Sequence, residues 1–141
     1  MKGLAIQYPA VLEKDGEGYT VTFPDLPEAI TEGDDLEMAL FNAAEALTLA
    51  LEQRINDGDP IPAPSKVARA RMVEPDVAIQ VALLLRLERE RQQKSVTDIA
   101  RALDTSWASA QRLERARGNP TLRQLERAAA ALGKRLHFEL V

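Results

Sequence analysis

The stretch YTVTFPDLPEAITEGDDLEMAL, residues 19–40, passes from strand-like to helix-like sequence and decides the fold of the first half of the chain. Its first five residues alternate aromatic or aliphatic side chains with threonine, which is the period of a half-buried strand. Pro24 and Pro27 cannot donate a backbone hydrogen bond to a sheet, so they end this strand. Residues 29–31 then predict a short third strand, and Asp35 is placed to cap the helix that follows.

The residues on either side of this stretch predict a small antiparallel sheet covered by one long helix. Upstream, residues 4–12 are rich in β-branched and aromatic side chains and predict a strand, and residues 15–18 supply a turn. Downstream, apolar residues recur at helical spacing as far as Ile55, and Asp-Gly at 57–58 is a helix stop. Residues 69–73 predict an edge strand.

A proline-rich connector separates this half from the rest of the chain. The segment GDPIPAPS has three prolines in eight positions, so residues 58–66 predict a semi-rigid connector. We predict an α+β protein with two domains, residues 1–74 and residues 75–141. The second domain is predicted to be all-α, with a helix that starts near residue 76 and three shorter helices at 96–103, 106–116 and 122–132.

The net charge of −4 is divided unevenly along the chain. Residues 1–64 hold three lysine or arginine residues and thirteen carboxylates, a net charge of −10, whereas residues 65–141 hold fifteen and nine, a net charge of +6. An acidic surface attracts a basic protein, and a basic surface attracts phosphate. The two halves are therefore expected to bind different partners, with two ordinarily solvated surfaces as the alternative.

Cysteine is absent and His137 is the only histidine, which closes off several kinds of chemistry. Disulfides, thiolate zinc sites, cysteine nucleophiles and sites that need two histidines are excluded. No window approaches the roughly 18 to 20 consecutive apolar residues of a membrane helix. The start of the chain also lacks the apolar core of a signal peptide. We therefore expect a cytoplasmic protein with no membrane partner.

An acidic run follows the second predicted strand, and it could be a catalytic metal site, a recognition surface or a solvated loop. A two-metal nuclease needs carboxylates that converge from separate elements, whereas these crowd one connecting segment and no histidine lies in this half. A catalytic or metal site is therefore disfavoured, and a recognition surface is favoured over a solvated loop. The six carboxylates are Asp25, Glu28, Glu32, Asp34, Asp35 and Glu37.

The second half contains the spacing of a helix-turn-helix. Ala100 and Ala110 supply small residues where two helices touch, and Leu113 falls on the inner face of the second helix. Asp104 occupies the turn position where glycine is commoner, and aspartate tolerates the left-handed backbone conformation. The following stretch, RLERARGNPTLRQLERAAAALGKRL, resembles the region after the recognition helix in the Cro and phage-repressor type of domain.

This resemblance implies a DNA-reading surface at the start of the second helix. Trp107 stands where that type of domain commonly has glutamine, so it either contacts a thymine methyl or sugar edge or packs against its own domain. Arg112 and Arg117 are expected to contact phosphates, with ion pairs to Glu114 and Glu126 as the alternative. The predicted DNA-binding residues are Ser106, Trp107, Ala108, Ser109, Gln111, Arg112 and Arg117.

The first half is similar to the HicB antitoxin domain over residues 4–65. The similarity rests on YTVTFPDLPEAITEGD, the alanine- and leucine-rich helix after it, and the tail PIPAPS. Many relatives have Pro-Gly-Cys where this chain has Pro-Glu-Ala at 27–29. The resemblance implies a truncated ribonuclease-H-like unit without the catalytic carboxylates, so no catalytic residue, metal or cofactor is expected.

A HicB-type protein is expected to bind and occlude a HicA-type toxin that cleaves mRNA, and to repress its own operon by binding double-stranded operator DNA. The implied toxin-binding residues are Asp25, Glu28, Glu32 and Asp34, which stand in for RNA phosphates. A two-fold operator calls for a homodimer, with a tetramer as the larger alternative. The alternating apolar residues of the C-terminal KRLHFELV predict a dimerisation strand, in which His137 has no catalytic role.

Two other classes of function stay open on the sequence. A stand-alone transcriptional regulator would use the first domain to sense a small ligand and would have no toxin partner. A nuclease would require a divalent metal and would depend on Asp25 or Asp34.

Overall fold

A computed structural model describes residues 3–141, which form an α+β structure of two compact units. The first unit ends at Gln80 and the second begins at Val81, so the division lies inside a helix and six residues beyond the predicted boundary. Within residues 3–141, no helix is both long enough and apolar enough to cross a membrane.

The first unit is a four-stranded antiparallel sheet with one long helix against it. The strands run in the order β3-β2-β1-β4. Helix α1, Leu36–Asp57, contacts β2, β3 and β4. The strands are β1 Tyr8–Asp15, β2 Gly18–Thr22, β3 Ile30–Gly33 and β4 Arg71–Val73.

The pairing register decides which side chains meet the helix. Val21 of β2 pairs with Leu12 on one side and Thr31 on the other, and it is fully buried. Its neighbour Thr22 pairs with Ile30, and both are exposed because alternate residues of a strand point to opposite faces. The core of the unit consists mainly of Tyr8, Val21, Phe23, Leu26, Leu47 and Leu51.

Both predicted caps of α1 are confirmed. The Asp35 carboxylate accepts a hydrogen bond from the Met38 amide at 2.8 Å, which satisfies one of the free donors of the first turn. Gly58 takes the left-handed conformation at φ 71°, and its amide donates to the carbonyls of Arg54 and Ile55.

The strand limits differ from the predicted ones by a few residues. β1 starts at Tyr8 and reaches Asp15, which pairs with Gly18, so the turn contains only residues 16 and 17. Residues 4–7 were predicted as strand, but they face no residue of β2 or β4. β3 continues to Gly33 because that residue pairs with Tyr19.

The second unit packs short helices around one small core. Helix α2, Val77–Arg91, contributes its residues from Val81 onwards. The remaining helices are α3 Val96–Ala102, α4 Trp107–Arg112 and α5 Leu122–Ala131. The core consists of Leu85, Ile99, Ala100, Ala110, Leu113, Leu125, Ala128 and Leu132.

Helix α4 is shorter than the predicted 106–116. The amides of Leu113, Glu114 and Arg115 each donate to the carbonyl three residues earlier, so the chain tightens into turns after Arg112. Leu113 and Ala116 stay buried in these turns. The apolar side chains of the predicted helix are therefore buried, although the α-helix itself ends at Arg112.

The predicted C-terminal strand is not formed in the single chain. Residues 134–141 have no regular secondary structure, because a strand needs a neighbour and the second unit offers only helices. Leu136 packs partly against the helical core, whereas Phe138 and Leu140 are exposed. A strand formed between two copies stays a prediction.

Candidate interaction surfaces

The α3–turn–α4 segment has the geometry of a helix-turn-helix. Asp104 takes the left-handed conformation at φ 51°, as its turn position requires. The Thr105 amide then donates to the Ala100 carbonyl at 3.0 Å, which closes the end of α3. Ala100 and Ala110 are both buried in the core of the unit. Small side chains therefore let α3 and α4 approach closely.

The start of α4 presents the predicted DNA-binding side chains to solvent. Ser106 caps the helix by accepting a hydrogen bond from the Ser109 amide at 3.1 Å, and the two hydroxyls are 2.9 Å apart. Trp107 is 51% exposed and lies outside the core, and Ala108 is also exposed. This exposure disfavours the interpretation that Trp107 packs into its own domain.

The basic side chains beyond the start of α4 differ in their partners. Arg112 is exposed, and within residues 3–141 its guanidinium has no hydrogen bond or ion pair. Gln111 accepts a hydrogen bond from Arg115 at 3.0 Å, so its amide is engaged on the helix surface. Arg117 is exposed as well. Glu114, which together with Glu126 was the alternative partner for these arginines, is paired with Arg89.

Glu114 forms a two-point ion pair with Arg89 of α2. Arg89 donates from Nε at 2.6 Å and from Nη2 at 2.9 Å, and its Nη1 donates to the Lys94 carbonyl at 2.9 Å. The hydrogen bonds to Glu114 raise the pKa of Arg89. Both side chains are largely buried, at 15% and 12% exposure. The pair ties α2 to the turns after α4, a role that no local pattern in the sequence indicated.

Asp25, one of the four predicted toxin-binding carboxylates, holds the proline-rich connector. It accepts hydrogen bonds from the Ser65 amide at 2.9 Å and from the Ser65 hydroxyl. Nearby, the Tyr8 hydroxyl donates to the Pro62 carbonyl at 2.6 Å. Burial and the Asp25 charge raise the pKa of Tyr8 to about 12, so this hydroxyl stays a donor at neutral pH. Asp25 therefore has a partner within its own chain.

Glu28 is also engaged within the unit. Its carboxylate receives hydrogen bonds from Arg54 Nε at 2.6 Å and from Arg54 Nη2 at 3.0 Å. These side-chain hydrogen bonds lower the pKa of Glu28. Arg54 lies in the last turn of α1, so Glu28 is positioned at the C-terminal end of that helix.

Glu32 and Asp34 are the two predicted toxin-binding residues whose carboxylates have no partner in the described part of the chain. Both are exposed. Glu32 lies on β3, where its backbone carbonyl accepts a hydrogen bond from the Asn42 side chain at 2.8 Å. Asp34 precedes α1, and its backbone lies close to Gly18, the first residue of β2. These two carboxylates are free to meet a partner molecule.

The four carboxylates do not converge on one point. α1 has 22 residues and is therefore about 33 Å long. Glu28 is held near its C-terminal end and Asp34 lies at its N-terminal end. Over residues 3–141 there is no group of three histidine or carboxylate side chains that could hold a metal ion. The four carboxylates therefore form an extended acidic surface along the unit.

Comparison with protein families gives two matches that together span most of the chain. A model described as "HicB_like antitoxin of bacterial toxin-antitoxin system" matches residues 7–87. A helix-turn-helix domain model matches residues 80–134. The matches overlap at 80–87, within α2.

Curated relatives match over nearly the full length. "Antitoxin HicB 2" of Photorhabdus laumondii subsp. laumondii is 36% identical over 136 residues, which is 96% of each chain. "Antitoxin HicB" of Escherichia coli strain K12 is 28% identical over 138 residues, covering 96% of this chain and all of the relative. Among solved structures, the N-terminal domain of Burkholderia pseudomallei antitoxin HicB matches at 28% identity with a TM-score of 0.45, covering 51% of this chain and all of that one.

Proposed function

Because the chain belongs to the HicB-like antitoxin family of bacterial toxin-antitoxin systems, we propose that it neutralises a HicA-type toxin and represses its own operon. Residues 1–74 bind and occlude the mRNA-cleaving toxin, and residues 75–141 bind double-stranded operator DNA. The observation that carries the proposal is the joining of an acidic segment, residues 1–64 with a net charge of −10, to a basic segment, residues 65–141 with a net charge of +6, that contains the helix-turn-helix. The proposal places the protein in the cytoplasm.

On the toxin side, exposed carboxylates take the place of RNA phosphates against a basic protein surface. Glu32 and Asp34 supply free charge, whereas Asp25 and Glu28 contribute by holding the connector and the end of α1. We assign this unit no catalytic role, metal or cofactor, and we propose that it is a truncated ribonuclease-H-like fold. Occlusion of the toxin's RNA-binding face then requires no chemistry.

On the DNA side, α4 enters the major groove with its exposed first turn. Ser106, Trp107, Ala108 and Ser109 face the base edges, with Gln111 beside them, and Arg112 and Arg117 contact phosphates. Because operators of this kind are two-fold, the chain acts as a homodimer or as a tetramer built from such dimers. Pairing of residues 134–141 between copies supplies the dimer contact.

The toxin half of the proposal is tested with the double variant Glu32→Gln/Asp34→Asn. We expect it to associate several-fold more slowly with the toxin at low salt and to show a flatter dependence on ionic strength, because exposed charges act mainly on the association rate. The measurement is stopped-flow association of the full chain with an inactive form of the protein encoded by the adjoining reading frame.

The matched control is Glu90→Gln/Glu126→Gln, which makes the same change of charge in the other half of the chain. It should leave the association rate unchanged. Equal slowing by both variants would mean that net charge alone matters and would remove Glu32 and Asp34 from the interface. A wild-type chain that binds operator DNA but no toxin would favour the stand-alone regulator.

The DNA half is tested with Arg112→Ala. Loss of one phosphate contact should weaken operator binding on all sequences alike and reduce the slope of log affinity against log salt by about one. The control is Arg91→Ala, because Arg91 is exposed but paired with Glu88 at 2.7 Å. Fluorescence anisotropy over a salt series measures both. An unchanged slope for Arg112→Ala would take this residue out of the DNA interface.

A further inference from the structure

The outer side of α1 carries large apolar side chains that stay exposed. Phe41 is 61% exposed, Leu49 64% and Met38 48%. Together with Glu45 they are spaced by three, four and four residues, so they form one stripe along the helix. We call Met38, Phe41, Glu45 and Leu49 the α1 ridge. It is about 16 Å long, because a helix rises about 1.5 Å per residue.

The fold of the first unit does not need this ridge. The opposite stripe of α1 is buried against the sheet and consists of Ala39, Ala43, Leu47, Ala50 and Leu51. Three alanines in that stripe let the helix lie close to the strands, and the two leucines fill the core. Apolar side chains grouped on an exposed face mark a surface that another molecule covers.

The charged residues of α1 before Arg54 are all negative. Lysine and arginine are absent between Lys14 and Arg54. Glu45 lies within the ridge and Glu37 lies beside its N-terminal end, and neither carboxylate has a hydrogen bond or ion pair with any residue of 3–141. The ridge therefore combines three exposed apolar side chains with one unpaired carboxylate, and a second unpaired carboxylate lies beside it.

This combination selects a basic partner over a second copy of the chain. In a two-fold contact the ridge would meet itself, and Glu37 and Glu45 would face like charges with no lysine or arginine to offset them. A basic protein with an apolar groove buries Phe41 and Leu49 and neutralises both carboxylates. We infer that the α1 ridge is the docking surface for the basic toxin, an inference that rests on the proposed function.

The double variant Phe41→Ala/Leu49→Ala, made in the full chain, tests this docking surface. It should bind the inactive toxin from the adjoining reading frame at least about 100-fold more weakly, mainly through faster dissociation, because buried apolar anchors act on the dissociation rate. A second variant, Glu45→Lys, keeps every apolar side chain of the ridge. It should weaken toxin binding at least about tenfold by placing like charges in contact.

Leu4→Ala is the matched control. Leu4 is 60% exposed, comparable to Phe41, but it precedes β1 and lies outside the α1 ridge. Its replacement should change toxin affinity by less than about twofold, as expected for a residue outside an interface. Circular dichroism melting and operator binding should be unchanged for all three variants, since every replaced side chain is exposed.

The outcomes separate this inference from the proposed function. Failure of the wild-type chain to bind the toxin contradicts the proposed function. Wild-type binding with unchanged affinity in the double variant and in Glu45→Lys overturns the docking surface and leaves the proposed function intact. A double variant that keeps its toxin affinity but loses molar mass in light scattering would show a second copy on the ridge, which also overturns the inference.

Discussion

Replacing Gly33 by alanine is expected to lower the free energy of unfolding of the first unit by about 3 kcal/mol. Gly33 ends β3 where the chain passes under the first turn of α1. A methyl group at this position would lie 2.8 Å from the Met38 carbonyl carbon and closer still to the backbone nitrogen and Cα of Ala39. All three are backbone atoms of α1. They cannot move aside without shifting the helix, as the end of a flexible side chain could.

The chain carries its own reporters for this measurement. Tyr8 and Tyr19, the two tyrosines, lie in the first unit, and Trp107, the single tryptophan, lies in the second. In a Trp107→Phe background, tyrosine fluorescence during urea unfolding follows the sheet-and-helix unit. Gly3→Ala is the control, since a methyl group there meets nothing within 4 Å. An equal urea midpoint for both glycine variants would contradict the close packing of α1 on β3.

Features specified by neighbouring residues were predictable from the sequence. The caps of α1 at Asp35 and Gly58 and the left-handed turn at Asp104 depend on one side chain and the few backbone atoms beside it. The alternation that buries Val21 depends only on the strand period. Errors occurred at element ends, as in α4, where tighter turns replace the helix after Arg112.

The partners of charged side chains were not predictable, because they depend on tertiary packing. Glu28 meets Arg54 across 26 residues and Asp25 meets Ser65 across 40. In the sequence, both carboxylates belong to one acidic run with Glu32 and Asp34, and nothing local separates those engaged from those free. Two of the four predicted toxin-binding carboxylates, Asp25 and Glu28, therefore form contacts within the chain, and the other two stay unpaired.

The two faces of α1 illustrate the same limit. Hydrophobic spacing predicted the buried stripe, which contains Leu47 and Leu51, but it did not indicate the second apolar stripe on the opposite side of the helix. The deciding property is side-chain size, since alanines at 39 and 43 allow close approach to the strands and Phe41 does not. The exposure of the second stripe could therefore be established only from the packing of α1 on the sheet.

Replacing Glu114 by alanine is expected to lower the free energy of unfolding of the helix-turn-helix unit by about 3 kcal/mol. The change leaves the Arg89 guanidinium largely buried without its counter-charge, and such an uncompensated charge costs more than the ion pair contributes. Operator affinity should fall as well, because the pair fixes the turns that follow α4. Trp107 fluorescence excited at 295 nm follows this unit during urea unfolding.

Two further variants determine whether the loss comes from the buried charge. Glu90→Ala removes an exposed carboxylate from a pair with Arg86, at 3.2 Å on α2, and should change stability by no more than about 0.5 kcal/mol. The double variant Arg89→Met/Glu114→Leu replaces both charges by apolar groups and should recover most of the loss, because no buried charge is left unpaired. If the double variant is as unstable as Glu114→Ala, lost packing rather than an unpaired guanidinium is responsible. In that case the ion pair between α2 and the turns after α4 does not fix the position of α4.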